Sequence, residues 1–239
     1  MKILGVNAFH PDSSACIIID GKVIAAIEEE RLIRVKHWAG FPEKAIKKCL
    51  EIADISYSEL DHIAINRDSK ANISEKIIFT IKNRPTIKNV FERLKNRKSI
   101  GNLPLLLSQL FHVDEKQVSN KIINVEHHLA HLASTFFTSP FKSSAILSID
   151  GFGDFISTMW GHGNQNKISI DDKVTFPHSL GMLYQSITQY LGFWNYGDEY
   201  KVMGMAAYGS PSFLDEINQL IRCVDDGKFE LTNKYFLHP

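Results

Sequence analysis

The sequence predicts an α/β fold of two subdomains built on one plan, each a mixed sheet flanked by helices, with the second subdomain incomplete. Three observations carry this expectation. Two groups of three short strand-like segments occur, at 2–28 and 144–171, and a helical pattern follows each. Apolar residues make up 44% of the 239, enough to build a real core.

The first group comprises 2–8, 14–19 and 22–28, the last two joined by Asp20-Gly21, a two-residue hairpin signal. Residues 31–40 read as a polar loop. Pro42 then opens a helix in which Ala45, Ile46, Cys49, Leu50 and Ala53 recur at helical spacing. Residues 61–66 read as a strand, and 71–112 as a helical insertion broken near Pro85 and Pro104. A second cycle begins with a strand at 122–125 and a helix from about His127. Strands at 144–149, 155–162 and 166–171 follow, then a helix over 179–191 stopped by Gly192. Residues 199–207 and 212–224 read as helices, and 228–231 as a short strand. The expected division is a first subdomain over 1–143, with its helical insertion at about 68–112, and the start of a second over 144–239.

Lysine plus arginine equals aspartate plus glutamate at 27 each, so no global charge steers the protein to nucleic acid or an anionic membrane. Residues 68–98 carry a local excess of Lys and Arg, with Phe79 and Phe91 interleaved, and read as the wet basic face of a helical cap rather than an RNA surface. Cys16, Cys49 and Cys223 are scattered and odd in number, which fits a reducing compartment and no disulfide framework. The N-terminus lacks the plan of a signal peptide, and no apolar run approaches the roughly 18 residues needed to span a bilayer. A soluble cytoplasmic protein is expected, without a membrane partner.

The sharpest local signal is the segment VEHHLAH. His127 and His131 stand four apart, on one face of a helix, and can grip one ion, while His128 points elsewhere. A chance histidine cluster on a surface helix is the competing reading. A zinc-protease motif would need Glu where His128 stands. Asp150, at the end of the apolar strand 144–149, is the best third ligand, though a turn Asp before Gly explains it equally well taken alone. Two histidines and a carboxylate leave coordination positions open, a set that suits iron(II), and zinc or manganese less specifically.

Asp150-Gly151-Phe152-Gly153-Asp154 resembles the strand-turn-strand hairpins that hold nucleotide phosphates in actin-like, ribonuclease H-like proteins. The corresponding turn of the first group is 9–14, where His10 can serve as a general base near neutral pH and the hydroxyls can donate to phosphate. A structural loop histidine is the plainer reading. Residues 28–36 read as a solvated charged loop with ion pairs worth little, with Lys36 and His37 available to phosphate. Residues 197–204 offer a polar turn entering a helix, which favours anions or is simply a cap.

Taken together, the ordered segments NAFHPDSSA, EEERLIRVKHWAGFP, VEHHLAHLAS, SIDGFGD, and SLGMLYQSITQYLGF with GDEYKVMGMAAYG resemble the carbamoyltransferase family that includes nodulation-factor and antibiotic O-carbamoyltransferases. The match spans almost the whole chain. The resemblance implies an actin-like N-terminal domain, followed in that family by a YrdC-like domain, absent here, that makes carbamoyl-adenylate from carbamoyl phosphate and ATP. The actin-like domain then transfers the carbamoyl group to a hydroxyl of a small-molecule or sugar acceptor, using a bound metal, typically iron. By the same resemblance His127, His131 and Asp150 would be metal ligands and His10 the base on the acceptor hydroxyl. Asp12, Lys36 and the turn Asp150, Gly151, Phe152, Gly153 would contact the nucleotide. Glu199, Lys201 and Gly204, with Asn66 or Arg67 as further candidates, would line the carbamoyl or phosphate site. The chain is shorter than the family pattern, so a fragment is implied, with the adenylate-forming domain supplied separately. A tRNA threonylcarbamoyl-type transferase and a non-catalytic nucleotide-binding module remain the alternatives.

Overall fold

The structure is a computed structural model that describes residues 1–83 and 102–235. The break expected near Pro85, and the part of the basic segment that holds Phe91, lie outside the described residues. The chain divides into two compact units, Met1–Asp68 with Pro85–Val125, and Ser69–Arg84 with Glu126–Pro239.

The first unit opens with an antiparallel meander, β1 (Lys2–Asn7), β2 (Ser14–Ile19) and β3 (Lys22–Glu28). The β2–β3 loop is the expected two-residue turn: Asp20 and Gly21 both take positive φ, at 49° and 80°, as a tight hairpin requires. Two helices follow, α1 (Glu29–Ile33) and α2 (Glu43–Ala53), and then β4 (His62–Ile65), which pairs with β1 in parallel. After α3 (Ile73–Asn83), which belongs to the second unit, come α4 (Leu103–Phe111), α5 (Glu115–Lys121) and β5 (Ile122–Asn124), parallel to β4. The sheet order is β3-β2-β1-β4-β5. A meander extended by two parallel crossover strands is the mixed α/β layout, a sheet flanked by helices, that the sequence predicts. Its core joins Leu4, Val6, Ala15, Ile17, Ile63 and Ile65 to the α2 stripe Ala45, Ile46 and Cys49, all predicted positions on that helix.

The charged segment 28–36 differs from expectation. It is not simply a solvated loop: Glu29 is buried, and its carboxylate accepts the N–H groups of Lys44 at 3.1 Å and Ala45 at 2.6 Å. Those amides are orphan donors in the first turn of α2, whose own N-cap is Pro42 and offers no side-chain acceptor. A carboxylate from fourteen residues upstream of that helix fills the role.

In the second unit α6 (His127–Phe136) packs on a second meander, β6 (Ser143–Gly153), β7 (Ile156–Asn164) and β8 (Lys167–Thr175), in the order β6-β7-β8. Leu132 and Phe136 meet Ile146, Ile156 and Met159 in its core. Then come α7 (Leu180–Tyr190), α8 (Glu199–Ala206), α9 (Leu214–Asn218), β9 (Ile221–Cys223) and β10 (Phe229–Leu231). The helix expected over 212–224 is cut short at Asn218, because Ile221–Cys223 pairs antiparallel with β10 across the turn Asp225–Gly227. Strand β6 also runs past Ile149, so Asp150 lies within the strand rather than beyond it. No helix among the described residues is long and apolar enough to cross a membrane.

Candidate metal centre

Two local features aim the predicted ligands. At the start of α6, Glu126 accepts the N–H of Leu129 at 2.7 Å, a side-chain cap that fixes where the helix begins. The four-residue step then sets His127 and His131 one turn apart on one face. In β6, the ladder with β7 is interrupted between Ile149 and Gly153, an irregularity that releases Asp150 from regular pairing.

The three side chains converge. Nε2 of His127 lies 2.9 Å from Oδ2 of Asp150 and 3.0 Å from Nε2 of His131, and His131 Nε2 lies 3.5 Å from the same oxygen. A ring nitrogen carries either a proton or a lone pair, so His127 Nε2 cannot donate to Asp150 and accept from His131 at once. A cation resolves this conflict by taking all three lone pairs. Separations of this size are those of ligand atoms about 2.1 Å from a common ion and subtending roughly right angles. The residues therefore fit a divalent metal, with His127 buried and His131 exposed on the open side.

The electrostatics follow the geometry. Hydrogen bonds from His127 and His131 hold the Asp150 carboxyl well below the usual carboxylate range, against the opposing effect of burial. For His127 burial acts downward, but the hydrogen bond and charge of Asp150, with Asp154 and Glu126, outweigh it and raise the pKa. His128 belongs to the fold instead. It is fully buried, its Nε2 donates to the carbonyl of Ile156 at 2.9 Å, and its Nδ1 accepts from the Ser148 hydroxyl at 2.9 Å. Burial pushes its pKa down to about 4, so the ring is neutral near pH 7.

Sequence reasoning missed Ser179. This buried residue caps α7 by accepting the Met182 N–H at 3.1 Å, and its hydroxyl is shared between the carbonyls of Asp150, at 3.1 Å, and Gly151, at 2.7 Å. The next contact is tighter still. A Cβ on Gly181 would stand 2.7 Å from the Asp150 carbonyl, so α7 reaches the backbone of Asp150 only because residue 181 has no side chain. Ser followed by a helical run is a legible N-cap signal; what it caps against is not.

In the turn after Asp150, the Gly151 N–H donates to the Asp150 carboxylate at 2.6 Å, and the Phe152 ring sits 5.1 Å from that of Phe176. Glu199, Lys201 and Gly204 all lie on α8. The Lys201 ammonium is paired with Asp198 at 2.6 Å, which raises its pKa, and Gly204 faces open space.

The first unit carries the other predicted residues. His10 is exposed in the β1–β2 loop, with Nδ1 3.2 Å from the carbonyl of Pro11. Asp12 accepts from His37 Nδ1 at 2.9 Å, and the His37 N–H donates to Glu30 at 2.9 Å, so Asp12, Glu30 and His37 form a second group of ligand-type atoms. Lys36 is exposed in the adjoining turn. Ser13, expected to offer its hydroxyl to phosphate, is buried and shares it between the carbonyls of His10 and Gly40, because that bond ties the loop to the segment before α2. Asn66 donates to Asn7 at 3.2 Å, and Asn7 to the carbonyl of Asp12 at 3.1 Å, which supports the same loop.

The family described as Carbamoyltransferase N-terminus matches residues 2–238. An uncharacterized protein of Synechocystis is 36% identical over 98% of this chain and 39% of its own length. The nodulation protein NolNO of Sinorhizobium fredii is 37% identical over 94% of this chain and 32% of its own length. A solved structure, YeaZ from Pseudomonas aeruginosa, is similar at 16% identity and a TM-score of 0.37, covering 74% of this chain and 67% of that one. The chain thus spans between 32% and 39% of the length of these two curated relatives. With the family matched from residue 2 to residue 238, the chain belongs to the carbamoyltransferases and corresponds to their N-terminal region.

Proposed function

We propose that the chain takes part in O-carbamoyl transfer, from carbamoyl-adenylate made from carbamoyl phosphate and ATP, to a hydroxyl of a small-molecule or sugar acceptor. The observation that supports this most is the convergence of His127, His131 and Asp150 on one point in a member of this family. These three residues would hold one divalent ion. Iron(II) is favoured because two imidazoles and one carboxylate leave positions open, with zinc and manganese as the other candidates. Such an ion supplies positive charge for oxygens that become more negative as the reaction proceeds.

The remaining roles fall to the chain's own side chains. His10 would accept the proton of the acceptor hydroxyl, as an imidazole does near neutral pH. The freed oxygen bonds to the carbamoyl carbon while the bond from that carbon to the phosphate oxygen breaks, and AMP leaves. Asp12, Lys36 and the turn from Asp150 to Gly153 are the proposed nucleotide contacts, and Glu199, Lys201 and Gly204 the proposed contacts to the carbamoyl or phosphate group.

The adenylate-forming step is assigned to another domain or chain. Two observations support that partner: the relatives are far longer, and Tyr190, Trp194, Tyr208 and Phe213 are each 72–95% exposed, large aromatic side chains of the kind a partner covers.

The test is metal content per chain after anaerobic purification, followed by transfer of labelled carbamoyl from supplied carbamoyl-adenylate to simple alcohols. About one ion per chain, lost in His131→Ala and Asp150→Ala together with transfer, is the expected result. A well-folded protein with no metal, or transfer untouched by either substitution, would sink the reading.

A further inference from the structure

The turn that follows Asp150 does something beyond carrying that ligand. The N–H of His127 is the first amide of α6 and has no partner within the helix. It donates to Oδ2 of Asp154 at 3.0 Å. On the ring side, a Cβ at Gly153 would stand 2.0 Å from Cδ2 of His127 and 2.1 Å from Cγ, so the imidazole fills the space that any side chain at 153 would take. Two consecutive residues therefore hold His127 at both its main chain and its ring.

The turn is itself fastened. Asp154 and Phe155 both take positive φ, at 49° and 80°, a conformation that non-glycine residues adopt only when their surroundings impose it. Those surroundings come from the helix inserted between β4 and β5. Just ahead of α3, Asn72 donates to the carbonyl of Asp154 at 3.0 Å and accepts from Nζ of Lys173 at 2.6 Å. Lys173 also pairs with Glu75 of α3 at 2.6 Å. The ring of Phe79, on the same helix, meets Phe155 and Phe176 edge-on, with centroids 5.7 and 4.9 Å apart. Every link of this chain lies within the second unit.

We propose that Asp154 is a positioning residue for the metal ligand His127, and that Asn72 acts through it by fixing the turn. The inference rests on the metal-centre reading above, since a ring that holds no ion gains little from being aimed. The chemistry explains why the arrangement has two holds. A helix fixes the Cα–Cβ direction of its first residue poorly, because first-turn amides fray, and a charged acceptor on the amide removes that freedom. Outer contacts that orient a ligating histidine are worth about 10–100-fold in metal affinity.

The experiment reads both properties in the 239-residue chain. Cobalt(II) is titrated into metal-free protein and followed by its visible absorption, and exchange of the His127 amide is measured by NMR without metal. Asp154→Ala is expected to weaken cobalt binding about 10–100-fold, with an altered absorption band, and to speed exchange of that amide by about 10-fold or more. Asp154→Asn keeps an acceptor oxygen and is expected to restore most of both. If Asp154→Ala does not fold, Asn72→Ala supplies the same comparison, because it frees the turn while leaving the carboxylate in place. Unchanged amide exchange and cobalt affinity in a folded Asp154→Ala or Asn72→Ala chain overturn the proposal. So does a variant that loses only thermal stability with the absorption band intact. Wild-type protein that binds no cobalt overturns the metal reading instead, and the exchange measurement still decides whether Asp154 holds His127.

Discussion

His127 and Gly153 are a packed pair: the ring occupies the volume in which a Cβ at position 153 would sit 2.0 Å from Cδ2. The neighbouring Gly151 is different, since a Cβ there would meet only Met182 Sδ at 3.6 Å, an ordinary contact. Gly153→Ala is therefore expected to cost about 1–3 kcal/mol through overpacking, whereas Gly151→Ala should lie within about 0.5 kcal/mol of wild type. Urea unfolding followed by circular dichroism separates the two, and equal costs would show that the pair is not rigid.

Glu29 gives a test in the first unit. Glu29→Ala leaves two first-turn amides of α2, that of Ala45 buried and that of Lys44 partly so, without an acceptor, so a loss of about 2 kcal/mol is expected. Glu29→Gln keeps one acceptor oxygen and should lose less. A wild-type unfolding midpoint in the alanine variant would mean that solvent replaces the cap.

His128 separates fold from ligand. Its two buried hydrogen bonds, to Ser148 and to the Ile156 carbonyl, predict that His128→Ala lowers stability by about 2–4 kcal/mol. Metal content in the folded fraction should match wild type, as measured by elemental analysis. Loss of metal in a fully folded variant would place this histidine at the centre instead.

The pair Glu75–Lys173 sets an acid dependence. The hydrogen bond from Lys173, aided by Ser74, lowers the Glu75 pKa from 4.5 to about 2. A carboxyl depressed on folding contributes stability that is present above its ordinary value and is lost as pH falls toward its folded value. The window is thus between about pH 4.5 and 2. Because both side chains are about a quarter exposed, solvent screening limits the contribution to roughly 1 kcal/mol. The stability gap between wild type and Lys173→Met should narrow by that amount over this window; a constant gap would indicate that Lys173 contributes by packing alone.

Much of the architecture was legible because it depends on spacing along the chain. Asp20-Gly21 specifies a hairpin by its own backbone preferences, and Ala45, Ile46 and Cys49 mark the buried face of α2 by their period. His127 and His131 share a face for the same reason. The misread segments are those where a hydrogen-bond partner outside the segment decides. The helix expected over 212–224 gives way to β9 because β10 supplies its hydrogen bonds, and the charged segment after β3 contains a buried carboxylate because α2 needs a cap.

The candidate site divides in the same way. The sequence alone determined the ligand types and the four-residue step between the histidines, since a helix imposes that step wherever it forms. Only the tertiary structure decided that Asp150 faces them, that Ser179 and Gly181 fasten its backbone, and that α3 reaches the turn behind it. Those contacts join residues 23 to 82 positions apart. Local periodicity carries no information over such separations, because what brings the residues together is the burial of two hydrophobic faces rather than any property of the intervening chain.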